Sequence, residues 1–351
     1  MIFRTFSNPN DSPLPDVATM QRGLSRYCAA SYQREKTDYP LLWRKGNVSL
    51  YQICTPSSPL LDSHAPIILC IPSLINRNYI LDLSEHLSLM RYLAQQGYRV
   101  CMVDWGVPEP HDADCNASDY ISEYLEPMMY SLYATYSIPI TLMGYCVGGL
   151  LALACAQHNP HWVKRMVLMA TPWDFSHHAT AKTGTGSYQA ATIEAWCRAE
   201  PLLPGAYVSW LFYLADPLRC ADKYKHFASL DEASEAYHRF IAVEHWVNDT
   251  VPLTRAFART CLIEWAVHNS THRVQWKIQG EPVRPAEIST PTLIIAPKRD
   301  HIVPLASACA LAQLLPHVDV MNPDSGHIGM IIGGNRLQTL WQPLQQWLHC
   351  H

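Results

Sequence analysis

Charged side chains are scarce in this chain: Asp, Glu, Lys and Arg make up 16% of its 351 residues, and the formal net charge is -4. No basic field is available to attract nucleic acid, so we expect no nucleic-acid partner. Apolar runs of about 18 residues, the length of a membrane-spanning helix, are also missing. The first residues become polar and proline-rich too early for a secretory signal. These absences predict a cytoplasmic protein without a transmembrane segment.

C-x-x-C pairs are absent as well, although the chain has 12 cysteines. This spacing disfavours a thiolate zinc site, and a chain of this length does not need a disulfide framework. The cysteines are therefore predicted to be reduced and mostly buried, as small hydrophobic residues. His268 and His272 are one helical turn apart, but the glutamate of H-E-x-x-H is missing, so no metal site is predicted.

Short apolar segments alternate with longer helical patterns along much of the chain. The apolar segments are PIILCIP, YRVCMVDW, IPITLMG, VKRMVLMA, PTLIIAP and HVDVM. Continuous hydrophobic strands that alternate with helices are typical of a parallel sheet covered on both faces. The sequence therefore predicts an α/β fold with a mostly parallel, doubly wound sheet.

The alternation stops after Ala170 and resumes near Pro291. Between them lies an aromatic-rich stretch with several helical patterns, which predicts a mainly helical cap domain at residues 172–288. Such an insertion would lie above the carboxyl edge of the sheet, where doubly wound folds place their active sites. The core is then formed by residues 66–171 and 289–351. No fold is assigned to residues 1–65, and the glycines of ATAKTGTGSYQ suggest a lid hinge within the cap.

The segment GYCVGG places Cys146 on a turn between an apolar strand and an apolar helix. This pattern is typical of the G-x-nucleophile-x-G elbow, in which the nucleophile occupies a sharp, strained turn. The small residues Gly144 and Gly148 would let the strand and the helix approach closely. The positive end of the helix dipole favours a thiolate there. The alternative is a buried structural cysteine.

Two further residues complete a possible catalytic triad. Asp300 follows the strand in TLIIAPKRDHIVP, and His327 follows the strand in HVDVMNPDSGHIGMI, in the order that this type of fold requires. Taken alone, Asp300 could be a turn residue and His327 an ordinary loop histidine. Together they predict a triad with Cys146. An oxyanion hole would then use the Val147 amide and the amide of Leu74 or Ile75.

A family resemblance rests on seven ordered motifs. They are INRNYILDL, MVDWGVPEP, GYCVGG, TPWDF, EHWVND, RDHIVP and SGHIGMI. In this order and spacing, from about residue 66 to the C-terminus, the chain resembles the polyhydroxyalkanoate synthases. The chain length and VDWG look most like the class III type, whose catalytic subunit works with a separate partner subunit.

The resemblance implies an α/β-hydrolase fold with a mobile cap, and polymerisation of (R)-3-hydroxyacyl groups from their CoA thioesters. The CoA thioester would be the substrate, and no cofactor is implied. Cys146 would carry the acyl group, His327 would be its general base, and Asp300 would help to activate the substrate 3-hydroxyl. His301 and Asn76 would contact the substrate. The family also implies a homodimer, a possible partner subunit, and a location at polyester granules in the cytoplasm.

The chain departs from the family pattern at two places. Val147 replaces a common glutamine after the nucleophile, and RNY replaces a more usual proline-containing form. Two alternative functions remain open. One is a cysteine-dependent thioesterase or polyester depolymerase, in which water reaches the acyl-enzyme. The other is a catalytically silent, granule-associated homologue.

Overall fold

An eight-stranded sheet forms the centre of the computed structural model, which describes residues 16–178, 186–215 and 217–351. Its strands are β1 Leu41–Lys45, β2 Val48–Ile53, β3 Ile67–Ile71, β4 Arg99–Asp104, β5 Ile140–Tyr145, β6 Val163–Met169, β11 Thr292–Ile295 and β12 Val318–Met321. Their order in the sheet is β1-β2-β4-β3-β5-β6-β11-β12. From β4 to β12 all neighbouring strands pair in parallel. The predicted mostly parallel sheet is confirmed.

Burial explains why the central strands read as continuous apolar runs. Every residue of β3, β5 and β11 is buried, because helices cover both faces of the sheet. The edge strands β1 and β12 contain exposed residues, as expected where a sheet meets solvent. The parallel order brings the carboxyl ends of β3, β5, β11 and β12 to one edge of the sheet, and this edge carries the candidate site.

Helices connect the strands of the core. They are α1 Val17–Ala29, α2 Leu89–Gln95, α3 Ala117–Asp119, α4 Glu126–Tyr136, α5 Val147–His158, α11 Leu305–Ala312, α12 Gly329–Ile332 and α13 Gln342–Cys350. A π-helical segment, Tyr120–Leu125, joins α3 to α4. Helix α5 packs against β3, β5 and β6 and is buried from Val147 to Ala156. It is therefore the central helix behind the candidate nucleophile.

The N-terminal segment, to which no fold was assigned from the sequence, contributes to the sheet and also packs against the cap. Strands β1 and β2 pair with each other, and β2 joins the sheet antiparallel to β4. Helix α1 instead packs against the cap, where a side chain at Gly23 would meet the Tyr224 carbonyl oxygen at 1.9 Å. Arg26 also donates to the Leu230 carbonyl oxygen at 2.6 Å. Strands β1 and β2 lie at the antiparallel edge of the sheet, and α1 lies on a cap helix. None of them belongs to the alternation of strands and helices on which the fold prediction was based.

The segment between β6 and β11 is mainly helical, as its aromatic-rich sequence indicated. Its helices are α6 Gly186–Ala199, α7 Gly205–Ala215, α8 Pro217–Ala228, α9 Glu235–Asn248 and α10 Arg255–Arg259, which continues as the π-helical Thr260–Trp265. Short strands form two antiparallel pairs, β7 Leu202–Leu203 with β8 Leu253–Thr254 and β9 Lys277–Ile278 with β10 Glu281–Pro282. The exact limits of the cap remain a prediction.

Candidate active site

Cys146 lies on a strained turn between β5 and α5. Its φ is 53° and its ψ is -124°, a conformation that costs a non-glycine residue free energy. The turn is held from both sides, because the Cys146 amide donates to the Met169 carbonyl oxygen at 2.8 Å and the Cys146 carbonyl oxygen accepts from the Gly149 amide at 3.0 Å. This backbone has the geometry that the GYCVGG pattern predicts.

Glycines allow the close packing around this turn. A Cβ atom at Gly144 would lie 2.4 Å from the Gly149 Cα atom, and one at Gly148 would lie 2.1 Å from the Ile71 carbonyl oxygen. The first contact brings strand and helix together. The second brings the start of α5 against the end of β3.

Replacing Gly148 by alanine should therefore destabilise the fold. The added methyl group would meet backbone atoms of β3, which cannot move aside cheaply, and we expect the free energy of unfolding to fall by about 1–3 kcal/mol. Urea denaturation measures this change. The matched control is Gly334→Ala, because no atom lies within 4 Å of a Cβ built at that position. Equal effects of the two substitutions would contradict the packing explanation.

His327 and Asp300 are hydrogen-bonded beside Cys146. The distance from His327 Nδ1 to Asp300 Oδ2 is 2.7 Å. The second carboxylate oxygen, Oδ1, accepts from the amides of Ile302 and Val303 at 2.8 and 2.9 Å. Cys146, Asp300 and His327 are each at most 8% exposed. The structure thus brings the three predicted residues together, with Asp300 behind the imidazole.

The environment of His327 favours its protonated form. Burial alone would lower the pKa of the imidazole, but the negative charges of Asp300 and Cys146 and the hydrogen bonds to both groups raise the pKa to about 10. At neutral pH the imidazole of His327 is therefore expected to be protonated. Because the pKa of His327 is higher in the folded protein, its protonation stabilises the fold. This contribution to the free energy of unfolding is complete below the ordinary pKa near 6.5 and is lost as the pH rises through about 10.

This electrostatic account predicts the protonation state of His327. At pH 8 we expect an imidazolium in the native protein and a neutral imidazole in Asp300→Asn. In the variant the negative charge of Asp300 no longer opposes the lowering of the His327 pKa by burial. NMR of protein labelled at the histidine ring measures both states, and His327→Gln assigns the signal. A neutral His327 in the native protein at pH 8 would contradict the account.

The Val147 amide and the amide of Leu74 or Ile75 are the candidate donors of an oxyanion hole. Val147 is the first residue of α5, so its N–H belongs to the helix-start amides that lack a partner within the helix. After β3, the Ile75 amide already donates to the Ser73 hydroxyl at 3.2 Å. For the Leu74 amide no hydrogen-bond acceptor exists within the described part of the chain. The free amide is a reason to expect Leu74 as the donor, whereas of these two residues only Ile75 lines the cavity beside Cys146. The choice between Leu74 and Ile75 remains a prediction.

Cys146 and His327 open into a cavity of about 130 Å³ between the core and the cap. Its walls combine apolar side chains with a few polar groups: Pro72, Ser73, Ile75, Asn76, Arg77, Ile80, Tyr145, Ser209, Phe212, Trp246, Val247, Ile302 and Ile328. The predicted substrate contact Asn76 is among them. His301 is exposed, and it is absent from these walls although its neighbour Ile302 is present.

Several wall residues were not predicted from the sequence. Phe212 and Trp246 come from the cap helices α7 and α9. Tyr145, directly before the nucleophile, places its ring 5.1 Å from the imidazole of His327, measured between ring centroids. Arg77 brings a positive charge to the cavity. The motifs INRNYILDL, GYCVGG and EHWVND contain three of these positions, but only the fold shows that they meet.

Other sequence features lie away from this cavity. His268 and His272 belong to a run of turns after the π-helical segment and not to a helix, since Asn269 between them has a φ of 53°. Among the described residues, no group of three or more His, Cys, Asp or Glu side chains is arranged to hold a metal ion. Most of the suggested lid hinge, residues 179–185, lies outside the described residues. None of the described helices is long and apolar enough to span a membrane.

The chain belongs to the α/β hydrolase fold family, whose sequence profile matches residues 66–333. Solved structures agree with this assignment. A hydrolase from Pseudomonas aeruginosa has a TM-score of 0.55 at 16% identity, with 86% of this chain and 94% of that chain covered. A thermophilic esterase from Thermogutta terrifontis has a TM-score of 0.52 at 16% identity, with 91% and 98% covered. At these identities the likeness shows the fold alone, and the predicted α/β-hydrolase fold is confirmed.

Curated relatives confirm the more specific resemblance. The poly(3-hydroxyalkanoate) polymerase subunit PhaC of Synechocystis is 28% identical over 317 residues, which are 88% of this chain and 83% of the relative. The protein of the same name from Thiocystis violacea is 24% identical over 313 residues, covering 88% and 87%. The likeness covers more than four-fifths of this chain and of each of the two relatives.

Proposed function

We propose that this protein is a polyhydroxyalkanoate synthase that polymerises (R)-3-hydroxyacyl groups from CoA thioesters with release of CoA. One observation carries the proposal: a cysteine, where hydrolases commonly have serine, lies on the elbow beside a hydrogen-bonded His327–Asp300 pair, in a chain whose relatives are named polymerases. In this proposal Cys146 carries the acyl chain.

The chemistry gives a reason for cysteine at this position. Transfer of an acyl group from CoA to Cys146 exchanges one thioester for another, so the acyl carbon stays activated and the step is nearly thermoneutral. A serine ester would lose that activation. Attack on the Cys146 thioester by a chain-end hydroxyl is then downhill, because a thioester is converted to an ester. A thiol nucleophile therefore suits chain growth.

The first half of the cycle forms the acyl-enzyme. The Cys146 thiolate attacks the thioester carbonyl carbon of the hydroxyacyl-CoA, and the amides of Val147 and Leu74 stabilise the oxyanion. When the tetrahedral intermediate collapses, the bond from carbon to the CoA sulfur breaks. The His327 imidazolium gives its proton to the leaving thiolate, which departs as CoA. Its raised pKa supports this role, since the proton is present when the substrate binds.

The second half lengthens the chain. The neutral His327 left by the first step accepts the proton of an incoming 3-hydroxyl group, whose oxygen attacks the acyl carbon on Cys146. The Cys146 sulfur then leaves as a thiolate, and the ion pair is restored. When the incoming hydroxyl belongs to a second hydroxyacyl-CoA, the lengthened chain ends in the CoA thioester of that unit. A repeat of the first half then returns this chain to Cys146 with release of CoA. The family resemblance gives Asp300 a share in activating the hydroxyl. Both of its oxygens are already engaged, which favours His327 as the base and Asp300 as the group that orients it.

The cavity supports a role for the cap in excluding water. Phe212, Trp246 and Val247 of the cap face Cys146 in a space of about 130 Å³. Sites for small molecules are commonly about 300–1,000 Å³, so an acyl-CoA cannot be enclosed without a movement of the cap. An apolar cover that closes after binding would favour a hydroxyl on the substrate over bulk water.

The surface beside the cavity also suits a polyester product. Helix α7 has no charged residue, and its side chains Trp210, Phe212, Tyr213 and Leu214 are 41–49% exposed. Phe212 belongs both to this surface and to the cavity wall. A chain of apolar esters leaving Cys146 would meet these side chains. We include association with polyester granules and a homodimer in the proposal. A partner subunit is included because the relatives are named polymerase subunits.

A product assay separates this proposal from its alternatives. Purified protein is incubated with (R)-3-hydroxybutyryl-CoA, and CoA release is measured together with the products. We expect CoA and hydroxybutyrate oligomers. Release of CoA with free hydroxy acid and no oligomer would instead indicate a thioesterase. No CoA release, with no acylation of Cys146, would indicate a catalytically silent homologue.

A further inference from the structure

The loop that follows β3 is attached to the cap through one carboxylate. Arg77 Nε donates to Asp249 Oδ1 at 3.3 Å, and the Tyr79 hydroxyl donates to Asp249 Oδ2 at 2.9 Å. The indole N–H of Trp246 donates to the Arg77 carbonyl oxygen at 2.7 Å. We refer to Arg77, Tyr79, Trp246 and Asp249 as the Asp249 cluster. It fixes both side chains and backbone of the loop.

The Asp249 cluster connects three parts of the structure. Asp249 ends the cap helix α9, where its amide donates to the His245 carbonyl oxygen at 3.0 Å. The next residue, Thr250, forms an antiparallel bridge with Asn76. On the core side, the Asn78 amide group donates to the Val103 carbonyl oxygen at 3.1 Å. The loop is thus held between the cap and the sheet.

The same segment also touches the cap helix that covers the cavity. A Cβ atom at Gly205, the first residue of α7, would lie 2.4 Å from the Val251 carbonyl oxygen. Helix α7 carries Ser209 and Phe212 in the cavity wall. A movement of α7 and α9 away from the core would therefore pull directly on the loop after β3.

Magnitudes favour a role in the reaction over a role in stability. The Arg77–Asp249 pair is partly exposed, with side-chain exposures of 30% and 43%, and such pairs contribute only about 0–1 kcal/mol to folding. An oxyanion donor, in contrast, must lie about 2.7–3.1 Å from the developing charge, and its loss costs about 10²–10³ in rate. Leu74 lies three residues before Arg77, so small displacements of the loop reach the donor.

We propose that Asp249 is a positioning residue: it holds the loop after β3 so that the Leu74 amide faces the oxyanion, and it makes this donor depend on the closed cap. Asp249 itself touches no reacting atom. The proposal rests on the proposed use of Cys146 as an acyl carrier. It adds that the cap controls the rate of acylation as well as the access of water.

Two reactions of Cys146 separate this role from a structural one. Alkylation of Cys146 by iodoacetamide needs the thiolate and His327 but no oxyanion hole. Acylation of Cys146 by p-nitrophenyl acetate needs the thiolate, His327 and the oxyanion hole. For Asp249→Ala and Tyr79→Phe we expect the acylation rate constant to fall at least about tenfold, a fraction of the full loss of a donor, with KM and the alkylation rate unchanged. In the double variant the acylation rate constant should fall by less than the product of the two single-variant factors, because both substitutions disturb the same cluster.

Asp114→Ala is the matched control. Asp114 forms a 2.7 Å ion pair with Arg255 that also joins the core to the cap, but neither residue lines the catalytic cavity. We expect acylation to be unchanged in this variant. An equal fall of acylation and alkylation in Asp249→Ala, or no fall in acylation, would overturn the proposal. The ester assay does not require polymer formation. The acylation and alkylation rates can therefore be compared even if the protein proves not to be a synthase.

Discussion

Replacing Cys146 by alanine should abolish acyl transfer from hydroxyacyl-CoA. The substitution removes the atom that would carry the acyl group in the proposed mechanism, and no other described residue of the cavity walls offers a thiol. In related triads, loss of the nucleophile costs about 10⁶ in rate. We expect CoA release to fall to the level without enzyme, measured by titration of free thiol over several hours.

The matched control is Cys309→Ala. Cys309 is another free, partly buried cysteine, on α11, and it does not line the cavity. This variant should keep full activity. Cys146→Ser is informative as well: a serine can be acylated, but it would hold an ester of low reactivity, so we expect oligomer formation to stop. Oligomer formation by Cys146→Ala would remove Cys146 from the mechanism.

His327→Gln is expected to lower the rate of both half-reactions. Glutamine cannot supply the proton that the leaving CoA thiolate takes up, nor accept the proton of the attacking hydroxyl. General acid–base groups contribute about 10²–10⁴ in rate, so we expect a loss near the upper end of that range. Rapid-quench measurement of the acyl-enzyme follows the first half-reaction, and oligomer length follows the second.

Asp300→Asn separates orientation from direct participation. If Asp300 orients His327, this variant should lower acylation and chain growth by similar factors, because one imidazole serves both steps. A loss confined to chain growth would favour direct activation of the 3-hydroxyl by Asp300.

His317→Gln is the control for His327→Gln, because His317 is exposed and lies next to β12, away from the cavity. Full acylation activity in His327→Gln would contradict the proposed roles.

The core of the fold was predictable because its signals are local. The segments that form β3, β5 and β11 are buried throughout and are read directly as apolar runs. The elbow around Cys146 is equally local, since a strained turn between a strand and a helix needs the neighbouring glycines. Asp300 and His327 could be placed because each follows a strand whose position in the parallel order was already predicted.

The parts that the sequence did not reveal depend on contacts between distant segments. Strands β1 and β2 pair antiparallel at an edge, where no alternation with helices marks them. The candidate oxyanion donors Leu74 and Ile75 differ by one hydrogen bond, from the Ile75 amide to the Ser73 hydroxyl. The hydrogen bonds of Asp249 join residues about 170 positions apart, to Arg77 and Tyr79. Neither periodicity nor motif spacing could have predicted such contacts.

The central claim, that Cys146 carries a growing polyester chain, is tested most directly by mass spectrometry of the enzyme during turnover. The protein is mixed with (R)-3-hydroxybutyryl-CoA, quenched in acid after short times and digested, and the peptide that contains Cys146 is analysed. The account predicts a series of adducts on Cys146 that differ by one hydroxybutyryl unit. An unmodified Cys146 peptide during CoA release, or a single acyl unit with accumulating free hydroxy acid, would contradict it.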